Sequence, residues 1–219
     1  MRTLAIIQAR MGSTRLPGKI MMPMAGVPML KHVINRVAIS CVNEYVVAMP
    51  IKDMTVPPHH YSVRYIDGDE NDVATRFARV FERMDCDLFV RICADSPLID
   101  PALINAAIGL AMATGASLVS NPTYPSGMQV EVVNTNYFLE REKRIPAECR
   151  EHVLPWLYTK ARIGEWITFG VPPNNCIIEN VKLSVDTQKD FDRVEKIIKR
   201  IGNNPRVGWR ECLHHARQA

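Results

Sequence analysis

The feature that most narrows the possible folds is an alternation. Between Thr3 and Ser120, short apolar runs take turns with segments of helical period. Thr3-Leu-Ala-Ile-Ile-Gln8 is a continuous apolar run, the pattern of a central strand buried on both faces. Tyr45–Ala48, Val63–Ile66, Leu88–Ile92 and Leu118–Ser120 read as further strands. A helix is expected from about Pro28, with Met29, Val33 and Val37 on one face. A second spans Asp69 to Met84, where Val73, Phe77, Val80, Phe81 and Met84 recur at helical spacing behind the acidic start Asp69 and Asp72. A third opens at Pro101 and runs to about Thr114. Strands alternating with helices of this length predict an α/β fold, a three-layer arrangement around a mostly parallel sheet.

The pattern loosens after Asn121. Asn121–Gly127 is a loop, Met128–Val133 alternates weakly like a strand, and helices are expected near Thr135–Lys143 and Glu148–Ala161. A turn at Pro172–Asn175 precedes a returning strand at Val181–Val185 and a clear amphipathic helix from Gln188 to Ile201. The whole of 1–219 reads as a single domain, with 121–175 as an acceptor-binding or dimerisation subregion.

Charge and cysteine usage remove several function classes. The net charge is only +4, with no Lys/Arg run, so no nucleic-acid partner is expected. No stretch approaches the ~18 apolar residues that span a bilayer, and Arg10 and Arg15 interrupt any leader-like run. The six cysteines are scattered without paired spacing and read as buried reduced thiols in a cytoplasmic protein. His59-His60 and His214-His215 read as surface pairs.

The chemistry concentrates in three stretches. Gln8-Ala-Arg-Met-Gly-Ser-Thr-Arg-Leu-Pro-Gly-Lys19 leaves the first strand carrying two Gly, two Arg, one Lys, Ser13 and Thr14. Small residues let backbone N–H groups approach a phosphate, and the cations supply charge to it. It is not a Walker A loop, because the Gly12-to-Gly18 gap is one residue too long and Ile20 stands where Ser or Thr is needed. Asp95 follows the fourth strand, where open α/β sheets bind ligands. If the first and fourth strands are neighbours, Asp95 faces the loop, and a carboxylate opposite a polyphosphate calls for a cation between them, usually Mg²⁺. Asp95 can also be read as a helix N-terminal residue before Pro97. Asp186 ends the Lys182–Val185 run and has the same two readings, metal ligand or helix N-cap.

Together these stretches resemble the spore coat polysaccharide biosynthesis (SpsF-type) cytidylyltransferases, relatives of the CMP-sialic acid and CMP-Kdo synthetases. Ile7–Lys19 is similar to the opening signature of that family. Gly68–Arg76, Ala94–Leu98, Tyr124–Glu131, Arg150–Pro155 and Ser184–Thr187 are similar to further blocks in the same order. Ala94 stands where the family has Gly, and Gln129 where an Asp is more usual. The resemblance implies a nucleotide-diphospho-sugar transferase (GT-A-like) fold, CTP as a partner, Mg²⁺ as cofactor, a sugar-type acceptor and a homodimer. It implies a nucleotide-binding set of Ala9, Arg10, Gly12, Ser13, Arg15, Lys19, Asp72 and Arg76. Asp95 and Asp186 would hold the metal, and Arg10, Lys19 and Asp95 would act in catalysis. Asp72 and Arg76 would lie near the base or ribose, or else form an i, i+4 ion pair on one helix face. Glu131, Glu151 and His152 are acceptor-side candidates, His152 equally a structural helix residue.

The implied reaction is in-line attack by an acceptor oxygen on the α-phosphate of CTP, with pyrophosphate leaving and no covalent enzyme intermediate. The acceptor would be a nonulosonate-like sugar acid, or a sugar phosphate or other phosphorylated small molecule. A glycosyltransferase would share the fold but carry an Asp-x-Asp metal motif. Asp85-Cys-Asp87 is a poor match, because it precedes its strand. A catalytically silent nucleotide-binding module is the non-enzyme alternative.

Overall fold

Period-two alternation inside the first strand determines where everything else packs. A computed structural model describes residues 1–54, 63–170 and 181–218. In chain order the elements are β1 (Thr3–Gln8), β2 (Pro23–Met24), β3 (Val27–Pro28), α1 (Met29–Ala38), β4 (Glu44–Pro50), β5 (Arg64–Gly68) and α2 (Val73–Phe81). Then come β6 (Leu88–Cys93), α3 (Pro101–Thr114), β7 (Leu118–Ser120), β8 (Glu131–Asn134), α4 (Thr135–Glu142), α5 (Val153–Lys160), β9 (Trp166–Thr168), α6 (Gln188–Arg200) and α7 (Trp209–Ala216). Ala5 and Ile7 of β1 join one core with α1, α3, α6 and α7. Leu4 and Ile6 join the other core with α2, α4 and α5. Both faces of the strand are dry, which is why no polar residue interrupts it.

The seven-stranded sheet runs β5-β4-β1-β6-β8-β7-β9. β4 and β6 flank β1 in parallel, and β8 is the one strand that runs against its neighbours. The chain thus leaves β1 toward β4 on one side and returns to β6 on the other. That reversal opens a crevice at the carboxyl ends of β1 and β6, the position where open α/β sheets bind ligands.

Helix starts are well specified. Asp72, Asp100, Asn134 and Thr187 accept hydrogen bonds from backbone N–H groups in the first turns of α2, α3, α4 and α6. Neither Asp95 nor Asp186 is a cap, because Asp100 and Thr187 fill those roles.

Several boundaries differ from expectation. Glu148–Ala161 is not one helix. A 3₁₀ turn at Ala147–Cys149 is followed by an irregular Arg150–His152 and then α5. Pro155 sits in the first turn of α5, the part of a helix that tolerates it. Val181–Val185 forms an isolated bridge, Lys182 with Ser126, rather than a strand. β2, β3, β9 and α7 were not anticipated. Of the cysteines, Cys212 is buried, Cys86, Cys93 and Cys149 are half-buried and Cys41 is exposed, so the expectation of uniformly buried thiols is corrected. No disulfide joins the described ones. His214 is exposed and His215 half-buried. His59, His60, Pro172–Asn175 and Cys176 lie outside the described residues. Among the described residues no helix is long and apolar enough to cross a membrane.

The start of α6 carries an acid-sensitive contact. The buried Asp190 carboxylate accepts hydrogen bonds from Lys182 (2.6 Å), Arg193 (2.7 Å) and the N–H groups of Asp186 and Thr187 (3.1 Å each). Burial works to raise its pKa, but these donors outweigh it and hold the carboxyl well below its ordinary 3.8. A folded pKa below the unfolded one contributes stability above about pH 4, lost as pH falls through the lowered value. An Asp190→Asn variant is therefore expected to melt with a deficit of about 2 kcal/mol at neutral pH that shrinks on acidification to about pH 3. A deficit equal at both pH values would remove this account.

Candidate active site

The residues after β1 and β6 meet across the crevice. Gln8 pairs in register with Cys93, so the loop from Ala9 to Lys19 and the turn at Ala94–Asp95 leave the sheet side by side. A cleft of about 180 Å³ lies between them, lined by Ala9, Arg10, Ser13, Thr14, Arg15 and Lys19 on one wall. Arg91, Cys93, Ala94, Asp95, Glu151 and Asp186 line the other.

The loop is braced so that part of its backbone stays unpaired. Met11 N–H donates to Asp53 at 2.8 Å, Ser13 and Gly18 N–H groups donate to the Met11 carbonyl, and Leu16 N–H reaches the Ser13 hydroxyl. The N–H groups of Arg10, Gly12, Thr14 and Arg15 make no hydrogen bond among the described residues. Gly12 has a second constraint: a Cβ there would lie 2.7 Å from a Glu70 carboxylate oxygen.

Lys19 is the hinge of the site. It is buried, and its ammonium lies 2.5 Å from the Val185 carbonyl, 3.3 Å from Asp95 Oδ2 and 3.4 Å from Asp186 Oδ1. Val185 N–H in turn donates to the Asp95 carbonyl at 2.9 Å, tying both carboxylate-bearing segments together. Arg15 (3.0 Å) and Lys182 (2.7 Å) complete the ring around Asp186. Burial pushes that carboxyl up, but the Lys182 hydrogen bond and the charges of Lys19, Lys182 and Arg15 win and hold it below its ordinary value. Arg10 reaches across the cleft to Glu151 at 2.7 Å.

A second cleft, about 110 Å³, adjoins the first and shares Gln8, Arg91 and Glu151 with it. Val73, Phe77, Val153, Leu154 and Pro155 give it apolar walls, and Glu131 and His152 are its further polar groups. All three acceptor-side candidates therefore border one cavity.

Asp72, Arg76 and Gly12 line neither cleft. Asp72 caps α2 and pairs with Arg150 at 2.7 Å. It makes no ion pair with Arg76, whose guanidinium is buried and donates to the Asp69 carbonyl at 3.2 Å. Burial and then the neighbouring Arg10 lower the Arg76 pKa to about 10, still protonated at neutral pH. Through Arg150, Asp72 fixes the segment that presents Glu151 and His152.

Ala94 is almost fully buried and belongs to the larger core. Burial pushes the Cys93 thiol up to about 12, so it stays protonated and is no nucleophile at neutral pH. Sequence reasoning missed Gln8, Arg91, Tyr158 and Lys182. A signal for one was present: Arg91 is a charge inside an apolar central strand, which is costly unless paired.

The crevice thus sets a cationic loop opposite two carboxylates at the switch point of the sheet. The cytidylyltransferase family profile matches residues 4–199. The chain belongs to the cytidylyltransferase family. This cytidylyltransferase is 28% identical over 221 residues to the spore coat polysaccharide biosynthesis protein SpsF of Bacillus subtilis (strain 168), spanning 96% of this chain and 92% of that protein. It also shares its fold with a solved cytidylyltransferase from Leptospira borgpetersenii serovar Hardjo-bovis, with a TM-score of 0.90 at 22% identity over 100% of this chain and 94% of that one. CMP:2-keto-3-deoxy-manno-octonic acid synthetase, solved with CTP, has the same fold, with a TM-score of 0.71 at 17% identity over 92% of this chain and 100% of that one.

Proposed function

We propose that this cytidylyltransferase activates a sugar acid of the ulosonate class with CTP in a Mg²⁺-dependent reaction. An acceptor hydroxyl oxygen bonds to the α-phosphorus as its proton passes to water, the bond to the β-phosphate oxygen breaks, and pyrophosphate leaves with that electron pair. The observation that carries the reading is the convergence of Arg10, Ser13, Arg15 and Lys19 with Asp95 and Asp186 on one cleft. Support for CTP and for a sugar acid comes from the synthetase solved with CTP and from a 3-deoxy-manno-octulosonate cytidylyltransferase of Trichlorobacter lovleyi among the relatives.

The donor set suits Mg²⁺. Among the described residues no three or more His, Cys, Asp or Glu side chains converge as a metal cage. Mg²⁺ is held instead by one or two carboxylates together with phosphates and water, and Asp95 and Asp186 both approach one cation, the Lys19 ammonium. When bound, Mg²⁺ would supply positive charge to the triphosphate. Lys19, Arg10 and Arg15 stabilise charge on the same phosphates, and the free N–H groups of the loop add donors. Glu131, Glu151 and His152 face the acceptor. Asp72 and Arg76 serve as supports of the cleft rather than base contacts. The homodimer implied by the resemblance remains part of the proposal, with 121–175 as the stretch that serves it or the acceptor.

The test is pyrophosphate release from each nucleoside triphosphate against sugar acids and sugar phosphates. Release that needs CTP, Mg²⁺ and a sugar acid is the expected result. Release with sugar phosphates alone moves the acceptor class, and binding without turnover ends the enzymatic reading.

A further inference from the structure

At the seam between the two clefts, a half-buried hydrogen-bond chain stands ready with donors to spare. Arg91 and Glu131 are directly opposed in the antiparallel β6–β8 pair, so both side chains emerge on one face of the sheet. Arg91 Nη1 donates to Glu131 Oε2 at 2.7 Å, and Arg91 Nε donates to Gln8 Oε1 at 3.0 Å. Guanidinium nitrogens only donate, so the second contact fixes the Gln8 amide with its oxygen toward Arg91 and its Nε2 turned away. Neither Gln8 Nε2 nor Arg91 Nη2 has a hydrogen-bond partner among the described residues. Both residues line both clefts.

Glu131 is itself locked. Its Oε1 accepts from the Tyr158 hydroxyl at 2.6 Å, and the Tyr158 ring stacks on Trp166 at 4.6 Å and 17°. Burial, and then the Glu131 charge, push the Tyr158 phenol above its ordinary value, so it remains a donor. The two carboxylates of this region each have a cation already, Glu131 with Arg91 and Glu151 with Arg10. An anion entering the second cleft therefore meets neutralised acids and two unspent donors, beside apolar walls that suit a carbon skeleton.

We propose that Gln8 Nε2 and Arg91 Nη2 form a two-pronged donor site for the carboxylate of the acceptor, with Glu131 and Tyr158 as positioning residues that hold the guanidinium. This rests on the sugar-acid reading above and deepens it. A planar guanidinium in a partly dry site is well matched to a carboxylate, and a lysine ammonium is not an equivalent replacement.

The experiment measures pyrophosphate release with 3-deoxy-manno-octulosonate and a nine-carbon ulosonate, each as the free acid and as its methyl ester. Wild-type protein is expected to prefer the free acid strongly. Arg91→Met should lower kcat/KM for the acid about 100-fold, mainly through acceptor KM, and leave the CTP KM within about threefold. Acid and ester should then become equivalent. Arg91→Lys should recover part of the preference. Glu131→Gln and Tyr158→Phe should raise acceptor KM by smaller factors with the CTP KM unchanged. Gln8→Met provides a second variant whose folding does not depend on a buried charge, and it should also narrow the acid-to-ester ratio. A rise in CTP KM instead, or an acid-to-ester ratio untouched in both the Arg91 and Gln8 variants, overturns the proposal. Wild-type indifference between acid and ester removes the donor pair while cytidylyl transfer stands. Failure of wild-type protein to turn over any acid removes both.

Discussion

An Asp95→Asn variant is expected to release pyrophosphate about 10³-fold more slowly than wild type, a loss of about 4 kcal/mol in transition-state stabilisation. The substitution keeps the shape and removes the charge. Asp95 makes two kinds of contact. Its backbone carbonyl accepts from Val185 N–H, and its side chain accepts from Ser96 and faces Lys19. The first survives the change, and Lys19 keeps Asp186 and the Val185 carbonyl. Folding should therefore be almost unaffected, and a melting curve within a few degrees of wild type would show it. What disappears is one of two carboxylates that share a cation. The loss should appear in kcat rather than in acceptor KM, because a group that acts on the transferring phosphate is felt most in the transition state. A variant that retains more than about a tenth of the activity would take Asp95 out of the chemistry.

Gly127→Val is expected to cost about 4 kcal/mol of stability, a large share of the 5–15 kcal/mol typical of a domain. Gly127 is buried with φ of +95°, where a β-branched residue is strained. A Cβ there would also meet the Leu183 carbonyl carbon and the Ser184 nitrogen at 2.5 Å each. Those atoms are backbone and cannot swing aside, so overpacking adds to the strain. The effect has a functional side. Leu183 N–H donates to the Ser126 carbonyl at 2.7 Å, the Ser126 and Ser184 hydroxyls meet at 2.6 Å, and the same strand of chain goes on to Val185 and Asp186. Urea unfolding should show a lower midpoint, and CTP affinity should fall with it. An unchanged midpoint would mean that the Ser126–Gly127 turn can shift without resistance.

Legibility in the sequence follows burial. β1, β4 and β6 are buried along most of their length, so their apolar runs stand out whatever surrounds them. α2 and α6 bury one stripe each, and their period is clear for the same reason. The α6 start also carries its own marker, because Thr187 and Asp190 form a reciprocal capping pair. The misses have local causes. β2 and β3 have two residues each around Ala25-Gly26, both at positive φ, and an Ala in that position gives no turn signal. β9 is a three-residue edge strand, too short for alternation to register. The Val181–Val185 run alternates apolar and polar residues like a strand, and Leu183, Ser184 and Val185 are buried. Its N–H groups, however, bond to Ser126 and to Asp95, two separate partners, so no ladder forms. Pro155 was the available sign that a helix begins near Val153 rather than running through from Glu148.

The candidate site was legible where one stretch of chain holds its own chemistry, as in the Arg10–Lys19 loop, Asp95 and Asp186. It was illegible where the chemistry needs register. Nothing in the spacing of Gln8, Arg91, Glu131 and Tyr158 joins them. The pairing of β1 with β6 and of β6 with β8, out of chain order, brings the first three together, and α5 adds Tyr158. Asp72 shows the reverse case. It lies in a block that resembles a nucleotide-binding family, yet its carboxylate is spent on the start of α2 and on Arg150.

The contact between Lys19 and Val185 spans 166 positions of chain, and this bears on how the protein is made. At about 5–20 residues per second, a ribosome delivers Lys19 roughly ten seconds or more before the carbonyl it will touch. The early strands can pair in that interval, while the Lys19 side chain stays hydrated and the crevice stays open. A prematurely terminated chain ending near residue 180 would lack Asp186 from the cleft and α6 and α7 from the larger core. Asp186 is the last of the cleft-lining residues to be made.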